Sequence, residues 1–185
     1  MKEEFTHDQI RQFLDFNGVR LKFRDVIEAH TNGKYKVNKC DDIPDVFYKI
    51  SDRVIEDANN TLLSESSDKK GKNVERLFEH ASESFYDDNC RLKGSSYPDF
   101  RFEINGEVYY VELKTYQSKD KNSPQRYFYY ASNKKIVSSG YHILVGFEHC
   151  NGNIIDYNIV DLYDLEVRLR SEVNAGNNQI YKNAG

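Results

Sequence analysis

From Pro44 to Leu63, Phe47, Ile50, Val54, Ala58 and Leu62 recur at helical spacing, and Pro44 suits a first helical turn. A second helical stretch runs roughly from Lys72 to Tyr86, with Val74, Leu77, Phe78, Ala81 and Phe85 as its apolar stripe. Between the two, SESSDKKGK (residues 64–72) is a polar connector and the best internal boundary. Upstream, residues 1–30 read as two short helices, His7 to Phe16 and Leu21 to His30, broken at Asn17-Gly18. Thr31-Asn32-Gly33 then turns the chain into a short strand within KYKVNK.

Beyond residue 88 the period shortens. Asn89 to Lys93 reads as a first strand, and PDFRFEI and EVYYVELKTY flank Asn105-Gly106 as a hairpin. YHILVGF (141–147) is a nearly unbroken apolar run, as expected of a strand buried on both faces. Asn151-Gly152 leads into a further strand, NIIDYNIV. Ser123-Pro124 opens a helix, QRYFYYASNKKIVSS, with Gly140 placed as its C′ residue. DLYDLEVRLRSEV reads as a closing helix. The expected class is α/β, an α+β arrangement around a mixed sheet. Residues 69–185 form an α-β-β-β-α-β core, and residues 1–68 a mainly helical N-terminal elaboration.

The hairpin carries the chemistry. With a two-residue type I′ turn at Asn105-Gly106, Ile104 faces Glu107 and Asp99 falls opposite Glu112. Alternation puts Lys114 on the same face as Glu112. Directly opposed carboxylates destabilise a sheet. At ~5 Å and an effective dielectric near 20 the repulsion is about 3 kcal/mol. A divalent cation turns that repulsion into coordination, and Mg²⁺ suits one or two carboxylates with several waters. Lys114 can hold or deprotonate a water, or stabilise a negatively charged transition state. The pattern points to metal-assisted phosphodiester hydrolysis.

Pro98-Asp99 followed by Glu112-Leu113-Lys114 resembles the PD-(D/E)XK nuclease superfamily, which includes many type II restriction endonucleases. Pro44-Asp45 is a second Pro-Asp, but no Glu-x-Lys follows it at hairpin distance. The resemblance implies a restriction-endonuclease-like core, with Asp99 and Glu112 binding Mg²⁺ and Lys114 assisting the nucleophile. GKNVERLF resembles the helix that often carries an accessory acid, which favours Glu75 over the more outward Glu79. The implied activity is DNA cleavage, most like that of a small type II restriction endonuclease acting as a homodimer on double-stranded DNA. A junction-resolving or repair nuclease, a non-catalytic DNA-binding or structural protein on the same scaffold, and an RNA substrate are the alternatives.

Charge supports a nucleic-acid partner through its distribution. The chain carries −4 overall, yet six Lys or Arg against one Asp between Lys114 and Lys135 give +5, leaving −9 for the rest. Lys119, Lys121, Arg126, Lys134 and Lys135 are therefore candidate phosphate contacts beside the carboxylate pair. The fourteen tyrosines read mostly as core residues with a wet hydroxyl. His142, His149 and Cys150 do not read as a metal site. Three cysteines, far apart and without zinc-type spacing, fit a reducing cytoplasm. No apolar run approaches the ~20 residues of a membrane span, and the start is too polar for a signal peptide.

Overall fold

A computed structural model of the protein describes residues 15–60, 67–86, 90–94, 96–117, 135–151 and 153–169, with Thr6, Asp8, Arg11 and Gln12; for 67–72 it describes the backbone alone. The elements in order are β1 (Arg20–Lys22), α1 (Phe23–His30), β2 (Val37–Asn38), α2 (Asp45–Asn60), α3 (Ser67–Glu83), β3 (Phe100–Ile104), β4 (Glu107–Gln117), β5 (Gly140–Cys150), β6 (Asn153–Asp161) and β7 (Glu166–Arg168). None of the described helices is long and apolar enough to cross a membrane.

The chain gathers into two compact units, Met1–Lys22 with Glu166–Gly185, and Phe23–Leu165. The smaller contains the antiparallel pair β1–β7, in which Leu21 faces Val167. The larger contains a five-stranded mixed sheet in the order β2-β5-β4-β3, with β6 also paired to β5. β4 and β2 run parallel to β5, while β3–β4 and β5–β6 are antiparallel. Residues on both sides of position 68 share one core. Phe47, Ile50, Val54 and Ala58 of α2 meet Val74, Phe78 and Ala81 of α3 over Phe100, Phe102, Val111, Val145 and Phe147 of the sheet. Phe78 packs 5.1 Å from Phe100 between ring centroids, and Phe47 5.4 Å from Phe102.

Several expectations need correction. α3 begins at Ser67, inside the supposed polar connector, because Asp68, Lys69, Lys70 and Lys72 do not oppose a helix even without an apolar stripe. It ends at Glu83, where Phe85 N–H bonds the Ser82 carbonyl at 2.9 Å in a tightened turn, so Phe85 lies beyond the helix and is exposed. α1 starts at Phe23 because Arg20–Lys22 is taken into the pairing with β7.

The closing helix is absent over residues 161–169. After Asp161 the chain turns and Glu166–Arg168 becomes β7. Leu162, Leu165 and Leu169 have helical spacing, but Leu165, Val167 and Leu169 alternate, and β1 offers partners for the backbone. The strand expected at Asn89 to Lys93 is a single bridge, Arg91 to Phe100, supported by Leu92 N–H to the Asp99 carbonyl at 2.8 Å. Most of the helix expected after Pro124 lies outside the described residues, but 135–139 is not helical. There the Tyr110 hydroxyl accepts the N–H groups of Val137 and Ser138 at 3.0 and 3.1 Å.

Candidate active site

Asn105 (φ 53°) and Gly106 (φ 81°) are both left-handed, as a type I′ turn requires. The register follows, with Ile104 facing Glu107 and Phe100 facing Val111. Tyr109, Val111 and Leu113 join the helical layer, so Glu112 and Lys114 occupy the other face of β4. One step before β3, Asp99 donates its N–H to the Val111 carbonyl at 3.0 Å, and its Oδ2 accepts the Leu113 N–H at 2.8 Å. The carboxylate is thereby tied to the strand that carries Glu112.

Glu112 is 3% exposed. Its Oε1 accepts a hydrogen bond from the Lys114 ammonium, while Oε2 is buried without a partner. Burial foremost, and then the Asp99 charge, raise its pKa to about 7 against the opposing effect of Lys114 and Lys135.

Glu75 projects from α3 towards the same region. Arg91 joins it at 3.1 Å and Glu79 at 2.7 Å. Burial and then Asp99 raise the Glu75 pKa, and Arg91 opposes them. The expectation that Glu79 lies further into solvent is wrong: its side chain is 23% exposed and that of Glu75 31%, because Arg91 covers both. Glu75, Glu79, Arg91 and Asp99 line a cleft of about 360 Å³. Arg91 was not legible as a site residue, since only the bridge to Phe100 brings it opposite α3.

Lys135 faces the same carboxylates. Its ammonium donates to the carbonyls of Gly94 at 3.0 Å, Pro98 at 2.7 Å, and Ser96. Burial lowers its pKa, while Asp99, Glu112 and Glu75 act to raise it. Lys119, Lys121, Arg126 and Lys134 lie outside the described residues. On the face that carries Glu112, the Tyr97 hydroxyl meets His142 Nδ1 at 2.5 Å, and burial lowers the His142 pKa to about 3. A buried neutral ring of this kind is structural support.

The structure thus brings together Asp99, Glu112, Lys114, Glu75 and Lys135, five residues from three separate stretches of chain. Residues 17–184 match the family model of the type II restriction enzyme MjaV family. The chain belongs to that family. All five site residues fall within the matched span. The type II restriction enzyme MjaV of Methanocaldococcus jannaschii is 31% identical to this chain over 111 residues. That similarity takes in 50% of this chain and 46% of the relative, so the chain spans about half the length of the curated relative it matches. No solved structure matches.

Proposed function

We propose that this chain is a Mg²⁺-dependent, site-specific DNA endonuclease of the type II restriction kind, with Asp99, Glu112 and Lys114 as a PD-(D/E)XK site. The observation that carries the reading is the orphaned Oε2 of Glu112, a buried carboxylate oxygen beside Asp99 with no hydrogen-bond partner. A buried polar atom of this kind calls for a ligand. Among the described residues no group of three or more His, Cys, Asp or Glu side chains converges as a metal-binding set. Two carboxylates are nevertheless enough for Mg²⁺, which dehydrates reluctantly and keeps several waters.

When bound, the ion supplies Lewis-acid polarisation of the phosphate and a more acidic water. Asp99 and Glu112 hold it, with Asp99 fixed in advance by the Leu113 N–H. Lys114, already hydrogen-bonded to Glu112, holds the attacking water by a hydrogen bond and stabilises negative charge as it builds on the phosphate. Glu75, across the cleft, positions water. Lys119, Lys121, Arg126 and Lys134 contact the phosphate backbone, and two copies of the chain act on the two strands of a duplex.

The test is incubation of the purified protein with long mixed-sequence DNA in Mg²⁺ or in EDTA. Discrete fragments in Mg²⁺ and intact DNA in EDTA are expected. A continuous smear would overturn site specificity, and undigested DNA in Mg²⁺ would overturn the enzymatic reading.

A further inference from the structure

Lys135 stands in a segment whose sequence offers its cations to a phosphate backbone, but its ammonium is engaged elsewhere. Nζ reaches the Gly94 carbonyl at 3.0 Å, the Pro98 carbonyl at 2.7 Å, and the Ser96 carbonyl between them. A lysine ammonium has three N–H donors and no acceptor. Three alternate carbonyls of one short loop therefore match its full donor capacity. The loop ends at Pro98, and the next residue is Asp99, whose Oδ2 rests on the Leu113 N–H. Gly94 lies close enough for the Lys135 Cε to sit 3.7 Å from where a Cβ would be, and its φ of +103° is one that favours glycine.

We propose that Lys135 is a positioning residue for Asp99: it clamps the 94–98 loop and so fixes the carboxylate on the Leu113 N–H, beside Glu112, before metal or DNA arrives. Its purpose rests on the nuclease reading, but the clamp itself does not. Lys135 acts through backbone carbonyls and adds positive charge where Asp99, Glu112 and Glu75 gather. Second-sphere partners of this kind change metal affinity by about 10–100-fold when removed.

Charge and positioning make opposite forecasts. If Lys135 acted only as a nearby cation, its removal would tighten Mg²⁺ binding. If it contacted phosphate, its removal would flatten the salt dependence of duplex binding by about 0.9 in log–log slope and leave the metal site alone. As a clamp, its removal loosens Asp99 and weakens the metal site although a competing positive charge has gone.

The experiment compares wild type, Lys135→Met and Lys135→Arg. Nuclear magnetic resonance reads the Leu113 amide in metal-free protein. Calorimetry reads Mg²⁺ affinity, and a salt titration in Ca²⁺ reads duplex binding. In Lys135→Met the Leu113 amide should shift upfield and exchange faster, Mg²⁺ should bind about 10–100-fold more weakly, and the salt slope should stay unchanged. Lys135→Arg keeps the charge, but its planar fork cannot aim three N–H groups at three carbonyls around one point, so the Leu113 resonance should not recover. Thermal unfolding of both variants reports whether they fold. If Lys135→Met does not fold, Lys135→Arg alone decides by the same Leu113 readout. An unmoved Leu113 resonance, tighter Mg²⁺ binding, or a flattened salt slope overturns the proposal. Wild type that binds no Mg²⁺ refutes the nuclease reading instead, while the Leu113 resonance still decides whether the clamp exists.

Discussion

Glu112 has one carboxylate oxygen on the Lys114 ammonium and the other without a partner, on a side chain cut off from water. Its pKa of about 7 stands above the ordinary 4.5. A carboxylate raised in this way binds its proton more tightly in the folded protein than in the unfolded chain. Its contribution to metal-free stability is full below pH ~4.5 and is lost as the pH rises through about 7. Thermal unfolding in EDTA should therefore show wild type losing stability across that window relative to Glu112→Gln. A metal must displace the same proton, so Mg²⁺ affinity should rise about tenfold per pH unit below pH ~7 and level off above it. Calorimetry across pH 5.5–8.5, a range of about three units, checks the slope. Lys114→Ala should lower the cleavage rate by about 10²–10⁴-fold and leave Ca²⁺-supported DNA binding in place. Asp99→Asn should instead weaken metal binding.

At the scale of elements, the site depends on β4 being held between β3 and β5. The β3–β4 register is set by the Asn105-Gly106 turn, and the pairing of β4 with β5 by a close approach at Gly140. A Cβ on Gly140 would meet the Val108 carbonyl oxygen at 2.6 Å, a contact that backbone on both sides cannot relieve cheaply. The need for glycine there is therefore steric, and not the left-handed helix cap that the sequence points to. Gly140→Ala should destabilise the protein by about 1–3 kcal/mol, an overpacking cost, read by chemical denaturation. Phe78 links α3 to the hairpin, its ring packed at a tilt against Phe100. Phe78→Ala should cost about 3–5 kcal/mol and, by loosening α3, lower cleavage by a route that Glu75→Gln does not share.

For the whole molecule, charge is divided: +5 between Lys114 and Lys135 in a chain of −4. Lys135 is hydrogen-bonded to the 94–98 loop, so on the proposed reading the charge offered to a duplex falls to Lys119, Lys121, Arg126 and Lys134. Arg126→Ala, at a position outside the described residues, should flatten the slope of log affinity against log salt by about 0.9. It should weaken cognate and random duplexes by similar factors, since phosphate contacts position and base contacts specify. An unchanged slope in the salt titration would remove Arg126 from the contacts. Cleavage of both strands calls for two sites, so sedimentation of the DNA-bound protein should give two copies of the 21.7 kDa chain.

What the sequence determined is local and periodic. Asn-Gly between two β-rich runs fixed the turn, and the turn fixed the register from the Ile104 and Glu107 pair to the Phe100 and Val111 pair. Asp99, one step before β3, is held to β4 by its own bonds to Val111 and Leu113. The register leaves Glu112 and Lys114 on one face, because side chains along a regular strand alternate. The apolar stripes of α2 and α3 and the unbroken run of β5 were legible for the same reason. Only the tertiary structure decided the contacts between distant stretches. Leu162, Leu165 and Leu169 recur at helical spacing while Leu165, Val167 and Leu169 alternate at strand spacing, and pairing with β1 chose the strand. Arg91 became the shared partner of Glu75 and Glu79 only when its bridge to Phe100 brought it across from α3. Lys135, one cation among six in its stretch, acquired its place from three carbonyls some forty residues earlier in the chain. Such pairings depend on which surfaces meet in space, and no spacing along the chain encodes that.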